Sequence, residues 1–190
     1  MMFKLRVIFE YFFNKIYSND ELLVYKYVRS DSLELLDEIT IEKVSDKNIK
    51  ELALFEDKEK IDWLNSKILK GNDGYIAFYN GICCHRSWVL FGPYNEDIHF
   101  SYKLDLKSNE CLIHYCETNP KFRGLGIYPY VLKYICNKYP DLDKIIVVNK
   151  KNIPSIKGIE KACFILQYSF KIKTILFFSK IIKNEDIVTC

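Results

Sequence analysis

The chain has 190 residues, which is the size of one domain with a single substantial core. Its hydrophobic share of 49%, with 14 tyrosines and 13 phenylalanines, argues against a disordered chain. The net charge of +3, from 28 basic and 25 acidic residues, argues against a nucleic-acid binder, because contacts with phosphates need a dense basic face.

The seven cysteines are typical of reduced, buried thiols in a cytoplasmic protein, because their number is odd and most of them lie in apolar runs. We also expect no secretory leader, since no small-residue cleavage site follows the apolar N-terminus. Cys111, His114 and Cys116 are spaced closely enough to suggest a metal site. An extended strand, however, would point residue 111 to the opposite face from residues 114 and 116, so we predict no bound metal.

Residues 1–17 form an apolar run that is interrupted by the charged residues Lys4, Arg6, Glu10 and Lys15. These charges argue against a transmembrane helix, which needs about 18 or more consecutive apolar residues. We expect instead an amphipathic helix that packs on the domain, and a peripheral membrane contact is the alternative. With a short strand at residues 22–28, this helix would form an N-terminal extension, residues 1–38, to a domain that spans residues 39–190.

After the extension, the hydrophobic pattern changes between the periods of strands and of helices. A period of two predicts strands at residues 39–44, 75–79, 82–90 and 98–106. Apolar side chains at helical spacing predict one helix through residue 54, with Ser45 as its cap, and a second helix at residues 58–69. Asn80-Gly81, between two of these strands, is the strongest short signal for a β-hairpin.

The second half of the chain predicts strands that alternate with helices. The predicted strands are residues 111–118, 144–148, 164–168 and 171–178, and the predicted helices are residues 128–137 and 152–162. Residues 144–148 are mostly apolar, which is typical of a strand that is covered on both faces. An antiparallel meander followed by a parallel crossover indicates an α/β fold with a mixed sheet.

A basic turn with two glycines, residues 119–127, joins the strand at residues 111–118 to the helix that follows. The start of a helix binds anions through unpaired backbone N–H groups and the positive end of the helix dipole. Gly124 and Gly126 leave this backbone uncovered, and Lys121 and Arg123 add positive charge beside it. The turn therefore predicts a site for a small phosphorylated ligand.

Two motifs in residues 110–164 resemble those of the GNAT superfamily of acyl-CoA-dependent N-acetyltransferases. The first is the turn, which matches the family pattern of Gln or Arg, two residues, Gly, one residue, and Gly or Ala, with Lys121 in the first place. The second is residues 152–164, where Asn152 and Ser155 begin a segment that ends in Glu160-Lys161 and an aromatic residue. The resemblance implies a central, mostly antiparallel sheet with one splayed parallel strand pair, flanked by helices.

The resemblance also implies acetyl-CoA (coenzyme A) as the co-substrate. The turn would bind its pyrophosphate, and the end of the preceding strand would pair with the pantetheine arm through main-chain atoms. Asn152 and Ser155 would contact the cofactor from the opposite wall of its site. The implied cofactor-binding residues are Cys116, Glu117, Thr118, Lys121, Phe122, Arg123, Gly124, Leu125, Gly126, Ile127, Asn152 and Ser155. Asn152 is an equally good helix N-cap, so its role has two interpretations.

The sequence departs from the family where the chemistry takes place. Ile159 stands where many members carry a tyrosine that protonates the departing thiolate. Our candidates for the catalytic base are His85 and His114, whose imidazoles titrate in the right range, and Glu110, which begins the central strand. Each also has a structural interpretation, as a hydrogen-bonded core histidine or as a solvated turn residue.

We therefore predict a cytoplasmic N-acetyltransferase that transfers an acetyl group directly from acetyl-CoA to a primary amine of a small molecule. The turn with Tyr128 and Pro129 is similar to that of family members in cell-surface polysaccharide synthesis, which implies an amino sugar nucleotide as the acceptor. The alternatives are a protein or peptide N-acetyltransferase and a catalytically silent CoA-binding module. We expect no nucleic acid among the partners and leave a homodimer open.

Overall fold

Ten strands and three α-helices make up the part of the chain that the computed structural model describes, residues 17–28, 38–176 and 178–184. The strands are β1 (Tyr17–Tyr27), β2 (Ile39–Lys43), β3 (Asp73–Tyr79), β4 (Ile82–Phe91), β5 (Tyr94–His99), β6 (Tyr102–Leu106), β7 (Glu110–Thr118), β8 (Asp143–Asn149), β9 (Phe164–Ile175) and β10 (Phe178–Asn184). The helices are α1 (Lys58–Leu69), α2 (Ile127–Lys138) and α3 (Ile153–Lys161), and two short 3-10 helices cover Ile49–Leu54 and Pro120–Phe122.

Eight of the strands form one mixed sheet in the order β10-β9-β1-β8-β7-β4-β3-β2, and β5 pairs with β6 in a separate hairpin. Within the described residues, β7 and β8 are parallel neighbours, and the other paired strands are antiparallel. The parallel pairing is short, since it covers residues 110–112 of β7 and 143–145 of β8. The predicted α/β fold with a mixed, mostly antiparallel sheet is therefore confirmed.

Helices α2 and α3 cover one face of the sheet. Ile127, Val131 and Ile135 recur at helical spacing along α2 and are buried in the cluster that joins both helices to the strands. On the opposite face, the hairpin β5–β6 packs on a second cluster that includes Leu112 of β7. Helix α1 contributes to a third cluster, around the fully buried Trp88. The end of the β7–β8 pairing thus has helices on one side and the hairpin on the other.

Local capping and turn chemistry determine where several elements begin. Asp57 accepts a hydrogen bond from the backbone N–H of Lys60 at 2.7 Å, and α1 begins at the next residue after Asp57. Asn80 and Gly81 have positive φ angles of 48° and 78°, which is what a two-residue turn between antiparallel strands requires. The hairpin that Asn80-Gly81 predicts is therefore confirmed as β3–β4.

Two predicted strand divisions are wrong. Residues 98–106 are not one strand but parts of β5 and β6, which fold back on each other at Phe100 and Ser101. Alternating hydrophobicity continues across such a turn, so it does not distinguish a straight strand from a hairpin. Conversely, the two strands expected in residues 164–178 are mainly the single strand β9, because Ser169 and Phe170 continue its pairing with β1.

The helix predicted to begin at Ser45 is also different in the structure. A short 3-10 helix, Ile49–Leu54, takes its place, and Asn48 precedes it without a side-chain cap. The side chain of Asn48 is already bonded to Glu42 and to the backbone of Lys43, so it holds the chain to the end of β2 instead.

The N-terminal extension is described in part. Its predicted strand is longer than expected, since β1 has eleven residues, and it pairs with both β8 and β9 inside the sheet. The predicted amphipathic helix lies outside the described residues, and the domain boundary at residue 38 stays a prediction. No helix in the described ranges has both the length and the apolar character needed to cross a bilayer.

Candidate functional site

A cavity of about 220 Å³ opens where β7 and β8 cease to pair. It lies on the helix side of the sheet, since its lining includes Ile113, Ile146 and Ile159, which pack with α2 and α3. Polar groups from both helices also reach it, namely Tyr128, Asn152 and Ser155. We call this cavity the slot.

A second cavity, of about 360 Å³, lies under the hairpin β5–β6. Its lining includes Asp20 of β1, with His99 and Phe100 of the hairpin, so we call it the hairpin cavity. His114, Val147 and Asn149 line both cavities. The two cavities therefore lie on opposite faces of the sheet and adjoin each other at the gap between β7 and β8.

The glycine turn has the backbone shape that the sequence predicts for an anion site. Strand β7 ends at Thr118, and α2 begins at Ile127 with Gly126 before it. Gly124 and Gly126 have φ angles of +87° and +75°, and a Cβ added to either would meet no atom within 4 Å. The space beside both glycines is therefore open, as binding of a phosphate to the backbone there would require.

The residues around the turn are tied to the end of β7. Asn119 accepts a hydrogen bond from the backbone N–H of Lys121 at 3.1 Å. The exposed guanidinium of Arg123 donates to Thr118 O at 3.2 Å and to a Glu117 carboxylate oxygen at 2.8 Å. Phe122 packs near Tyr79, with ring centroids 6.0 Å apart. Lys121 and Leu125 are exposed beside these groups. The predicted cofactor residues of the turn are therefore at least partly exposed, except for Ile127, which is buried.

Asn152 and Ser155 lie at the opposite wall of the slot. Asn152 Oδ1 accepts the backbone N–H of Ser155 at 3.3 Å, so Asn152 is the N-cap of α3. Both residues also line the slot. The two interpretations of Asn152 that the sequence leaves open are therefore compatible.

Strand β7 has a bulge at Tyr115, whose φ angle is +51°. A non-glycine residue in this region costs about 1–2 kcal/mol, so other contacts must hold it there. We expected His114 and Cys116 to share one face, and this is wrong because the bulge interrupts the alternation. Cys116 packs with the cluster of α2 and α3, on the same side as Cys111.

His85 is a buried structural histidine in the described geometry. Its Nδ1 lies 2.7 Å from Thr118 Oγ1, and its Nε2 lies 2.8 Å from Ser87 Oγ. Burial, with a smaller effect of the nearby Arg86 charge, lowers the pKa of His85 to about 3. Both ring nitrogens are occupied by these bonds, and the ring lines neither cavity.

Glu110 lies at the closed end of the β7–β8 pair. One carboxylate oxygen accepts the backbone N–H of Lys107 at 2.9 Å, which closes the turn before β7. Glu110 pairs with Asp143 in the parallel register and lines neither cavity. The structure therefore separates Glu110 from the gap between the strands.

His114 lies in that gap. It lines both cavities, and its ring packs on Tyr115 with the centroids 4.2 Å apart. Burial lowers the pKa of His114 to about 4, although Glu96 raises it, so the imidazole is neutral at pH 7. No other residue of the described ranges forms a hydrogen bond with its ring nitrogens. Of the three predicted base candidates, His114 alone lines the cavities.

Tyr128 is a slot residue that sequence reasoning did not identify as a candidate. Its hydroxyl is hydrogen-bonded to Cys116, and burial raises its pKa well above the usual value. Its ring lies over Gly158, where an added Cβ would be 2.6 Å from Tyr128 Cδ1. The sequence carries a signal for this placement, because Tyr128 replaces a small residue of the family pattern while Gly158-Ile159 lacks the family tyrosine.

The described ranges also contain potential metal ligands and thiols. There, no group of three or more His, Cys, Asp or Glu side chains lies close enough to hold a metal ion. The six cysteines in these ranges are free thiols. Burial raises the pKa of Cys116 to about 11, so its thiol is protonated at neutral pH and is a poor nucleophile.

No family model and no curated protein matches this sequence, but solved structures do. A GNAT-family acetyltransferase from Colwellia psychrerythraea superposes with a TM-score of 0.58 at 13% identity, over 89% of this chain and 56% of that protein. A GNAT-family acetyltransferase from Streptococcus agalactiae gives a TM-score of 0.52 at 12% identity, over 80% of this chain and 98% of that one. The chain thus spans just over half the length of the Colwellia protein.

A third match is the glucosamine N-acetyltransferase region of a fungal multi-domain β-N-acetylglucosaminidase. It gives a TM-score of 0.59 at 11% identity, over 88% of this chain and 22% of that one. At such identities, structural similarity establishes the fold. The chain has the GNAT fold, and the resemblance seen in its sequence motifs is confirmed at that level.

Proposed function

We propose that this protein, which has the GNAT fold, is an N-acetyltransferase that transfers the acetyl group of acetyl-CoA to a primary amine of a small molecule. The observation that carries this proposal is that the slot and the hairpin cavity meet at His114. A thioester that enters from the helix side and an amine that enters from the hairpin side would meet there.

The co-substrate fits the helix side of the sheet. The open turn at Gly124 and Gly126 suits the pyrophosphate, because it offers backbone N–H groups without a covering side chain. The slot lies next along the chain from this turn, since Tyr128 in the first turn of α2 and Cys116 line it, and it has Asn152 and Ser155 on its far wall. The pantetheine arm would lie along it, beside the unpaired edge that β7 presents after residue 112.

His114 is the proposed general base. The free amine attacks the carbonyl carbon of the thioester, and its nitrogen becomes strongly acidic as the C–N bond forms. The neutral imidazole of His114 accepts that proton. Its lowered pKa makes it a weak base, but the attacking nitrogen is by then a stronger acid than a free ammonium ion. The carbon–sulfur bond then breaks and releases the thiolate of coenzyme A.

Tyr128 is the proposed proton donor to that thiolate. Its raised pKa keeps the hydroxyl protonated at neutral pH, and it lies in the slot beside Cys116. Transfer through an acyl-cysteine at Cys116 is disfavoured, because the pKa of its thiol is raised to about 11. The geometry therefore favours direct transfer to the amine.

The size of the hairpin cavity bears on the acceptor. About 360 Å³ accommodates a molecule of roughly monosaccharide size. Asp20, His99 and Asn149 provide polar groups, and the ring of Phe100 provides an apolar surface. An amino sugar fits this combination, with any nucleotide attached to it extending beyond the cavity. The similarity to the fungal glucosamine N-acetyltransferase region supports the same class.

The test is release of free thiol from acetyl-CoA with a panel of amines, which would include glucosamine, an amino sugar nucleotide, short alkylamines and a lysine peptide. We expect turnover with amino sugars and a tenfold or larger preference for them over the peptide. Binding of acetyl-CoA without turnover of any amine would support a silent CoA-binding module, and absence of binding would refute the proposal.

A further inference from the structure

A buried ion pair lies directly behind the gap between β7 and β8. Arg86 of β4 places Nε and Nη2 each 2.6 Å from the same carboxylate oxygen of Glu56, and the two side chains are only 6% and 12% exposed. The remaining arm of the guanidinium, Nη1, donates a hydrogen bond to the carbonyl oxygen of Tyr115. Arg86 is therefore anchored at one end and holds the backbone of the bulge with the other.

This contact determines the direction of one peptide group. The C=O and N–H of a trans peptide point in opposite directions, so the N–H of Cys116 is turned away from the Tyr115 carbonyl oxygen. Strand β7 has β4, which carries Arg86, on one side and β8 on the other. β8 no longer pairs with β7 at this level and Cys116 lines the slot, so an N–H that is turned away from β4 here would face the slot.

The bulge is also held through the side chain of Tyr115. Its hydroxyl is hydrogen-bonded to Glu96 of β5, which pairs in turn with Lys67 of α1 at 3.1 Å. The ring of Trp63 packs edge-on against the tyrosine ring, with the centroids 4.5 Å apart. Backbone and side chain are thus fixed independently, as a rigid hydrogen-bond donor in a catalytic site requires.

We propose that Arg86 is a positioning residue that aims the N–H of Cys116 at the carbonyl oxygen of the bound thioester. This inference rests on the proposed acetyl transfer. As negative charge develops on that oxygen, a fixed backbone donor stabilises it without rearrangement. Arg86 itself does not touch the substrate in this arrangement. Glu56 contributes by holding the guanidinium in place.

The primary test compares wild type with Arg86→Met by infrared spectroscopy of bound acetyl-CoA that carries ¹³C in the thioester carbonyl. We expect the carbonyl stretch to lie at a lower frequency in wild type, because the N–H of Cys116 polarises the bond, and to shift upward in the variant. We also expect kcat to fall by about 10- to 100-fold, while the KM for acetyl-CoA changes less than threefold. A merely structural role would not separate the effect on kcat from the effect on the KM for acetyl-CoA.

Two further variants keep the test decisive if Arg86→Met does not fold. Arg86→Lys retains the charge but cannot bind Glu56 and the Tyr115 carbonyl together, and Glu56→Gln weakens the anchor while preserving its shape. Both should lower kcat at least fivefold and raise the carbonyl frequency. Lys43→Met, which breaks the ion pair with Asp73 of β3 and removes no residue that lines either cavity, is the control and should change neither.

An unchanged kcat and carbonyl frequency in any folded variant of Arg86 would overturn the inference while leaving acetyl transfer intact. Failure of the wild-type protein to bind acetyl-CoA would instead overturn the proposed function, and the two results are distinguishable by titration of wild type alone.

Discussion

The ring of Tyr128 lies against the backbone of Gly158, so closely that a Cβ on Gly158 would be 2.6 Å from Tyr128 Cδ1. Gly158 immediately precedes Ile159, the position where the GNAT resemblance implies a tyrosine in many members. The glycine therefore makes room for an aromatic ring from a different helix. A phenol reaches the slot from α2 instead of from α3.

The first prediction concerns Tyr128→Phe. Removing the hydroxyl removes the proposed proton donor, and general acids of this kind contribute about 10²- to 10⁴-fold to the rate. We expect kcat to fall by about 100-fold with the affinity for acetyl-CoA unchanged, as measured by thiol release and calorimetric titration. If the affinity for acetyl-CoA falls in the absence of an acceptor, the hydroxyl contributes to packing of the site instead.

Gly158→Ala is the matched variant for this prediction, because it displaces the Tyr128 ring without removing the hydroxyl. It should lower kcat as well, and the double variant with Tyr128→Phe should be no slower than Tyr128→Phe alone. Additive losses would contradict a shared role, since coupled residues give non-additive effects.

The second prediction concerns the pH dependence of kcat. The pKa of His114 is lowered to about 4, so the base form predominates above that pH and is lost below it. At saturating substrates, kcat should therefore fall only as the pH drops toward 4, and not near 6.5 as for an exposed histidine. His114→Gln should lower kcat by about 100-fold and remove this acid limb.

His85→Gln is the control for the pH profile. His85 is fully buried, and its ring nitrogens are bonded to Thr118 and Ser87. The acid limb of kcat should keep its position in this variant. If the acid limb of kcat shifts in His85→Gln, then His85 and not His114 is the base.

The third prediction concerns stability in acid. The pKa values of His85 and His114 are lowered to about 3 and about 4, so below pH 6.5 the unfolded chain binds protons that the folded protein does not. Stability must therefore decrease as the pH falls from 6.5 toward 4. For His85 alone, the loss between pH 7 and pH 5 is about 2 kcal/mol.

Urea unfolding at both pH values measures this loss. We expect His85→Gln to show a free energy of unfolding that depends less on pH than that of wild type, whatever its absolute stability. An equal dependence would mean that His85 is protonated in the folded state.

The fourth prediction concerns the acceptor. Burial alone would raise the pKa of Asp20, but hydrogen bonds from Asn149 and Lys151 outweigh it and the net shift is downward, so the carboxylate is charged at neutral pH. Asp20→Asn should raise the KM for the amine by about tenfold, since a charge-assisted hydrogen bond contributes about 1.5–3 kcal/mol. The KM for acetyl-CoA should not change, and a change in both would place Asp20 outside the acceptor site.

Local features of the sequence predicted the conformation of the glycine turn and the start of α3. The turn at Gly124 and Gly126 depends on backbone conformations that the glycines specify themselves, and the N-cap Asn152 acts within one helical turn. The order of strands and helices around the turn follows from periodicity alone. These features need no knowledge of distant contacts, so a single sequence was sufficient for them.

The proposed catalytic side depends on contacts between distant parts of the chain. The selection of His114 over His85 required the end of the β7–β8 pairing and the bulge at Tyr115, which strand alternation does not reveal. The same holds for Tyr128, whose position in the slot is visible only beside Gly158. The hairpin cavity arises because residues 98–106 fold back on themselves, whereas their pattern predicts one strand.

The final prediction concerns Gly126→Glu, which places a carboxylate in the proposed phosphate site. Acetyl-CoA at about 100 times its dissociation constant should stabilise wild type by about 2.7 kcal/mol, and this stabilisation should disappear in the variant. Gly71→Glu is a matched control, because Gly71 also has a positive φ, +84°, and an added Cβ there meets no atom within 4 Å. Both variants carry the same backbone strain and the same added charge, so thermal unfolding with and without acetyl-CoA isolates the effect of position. If acetyl-CoA still stabilises Gly126→Glu, the pyrophosphate binds elsewhere. If it stabilises neither variant, the added negative charge alone explains the loss of binding, whatever its position.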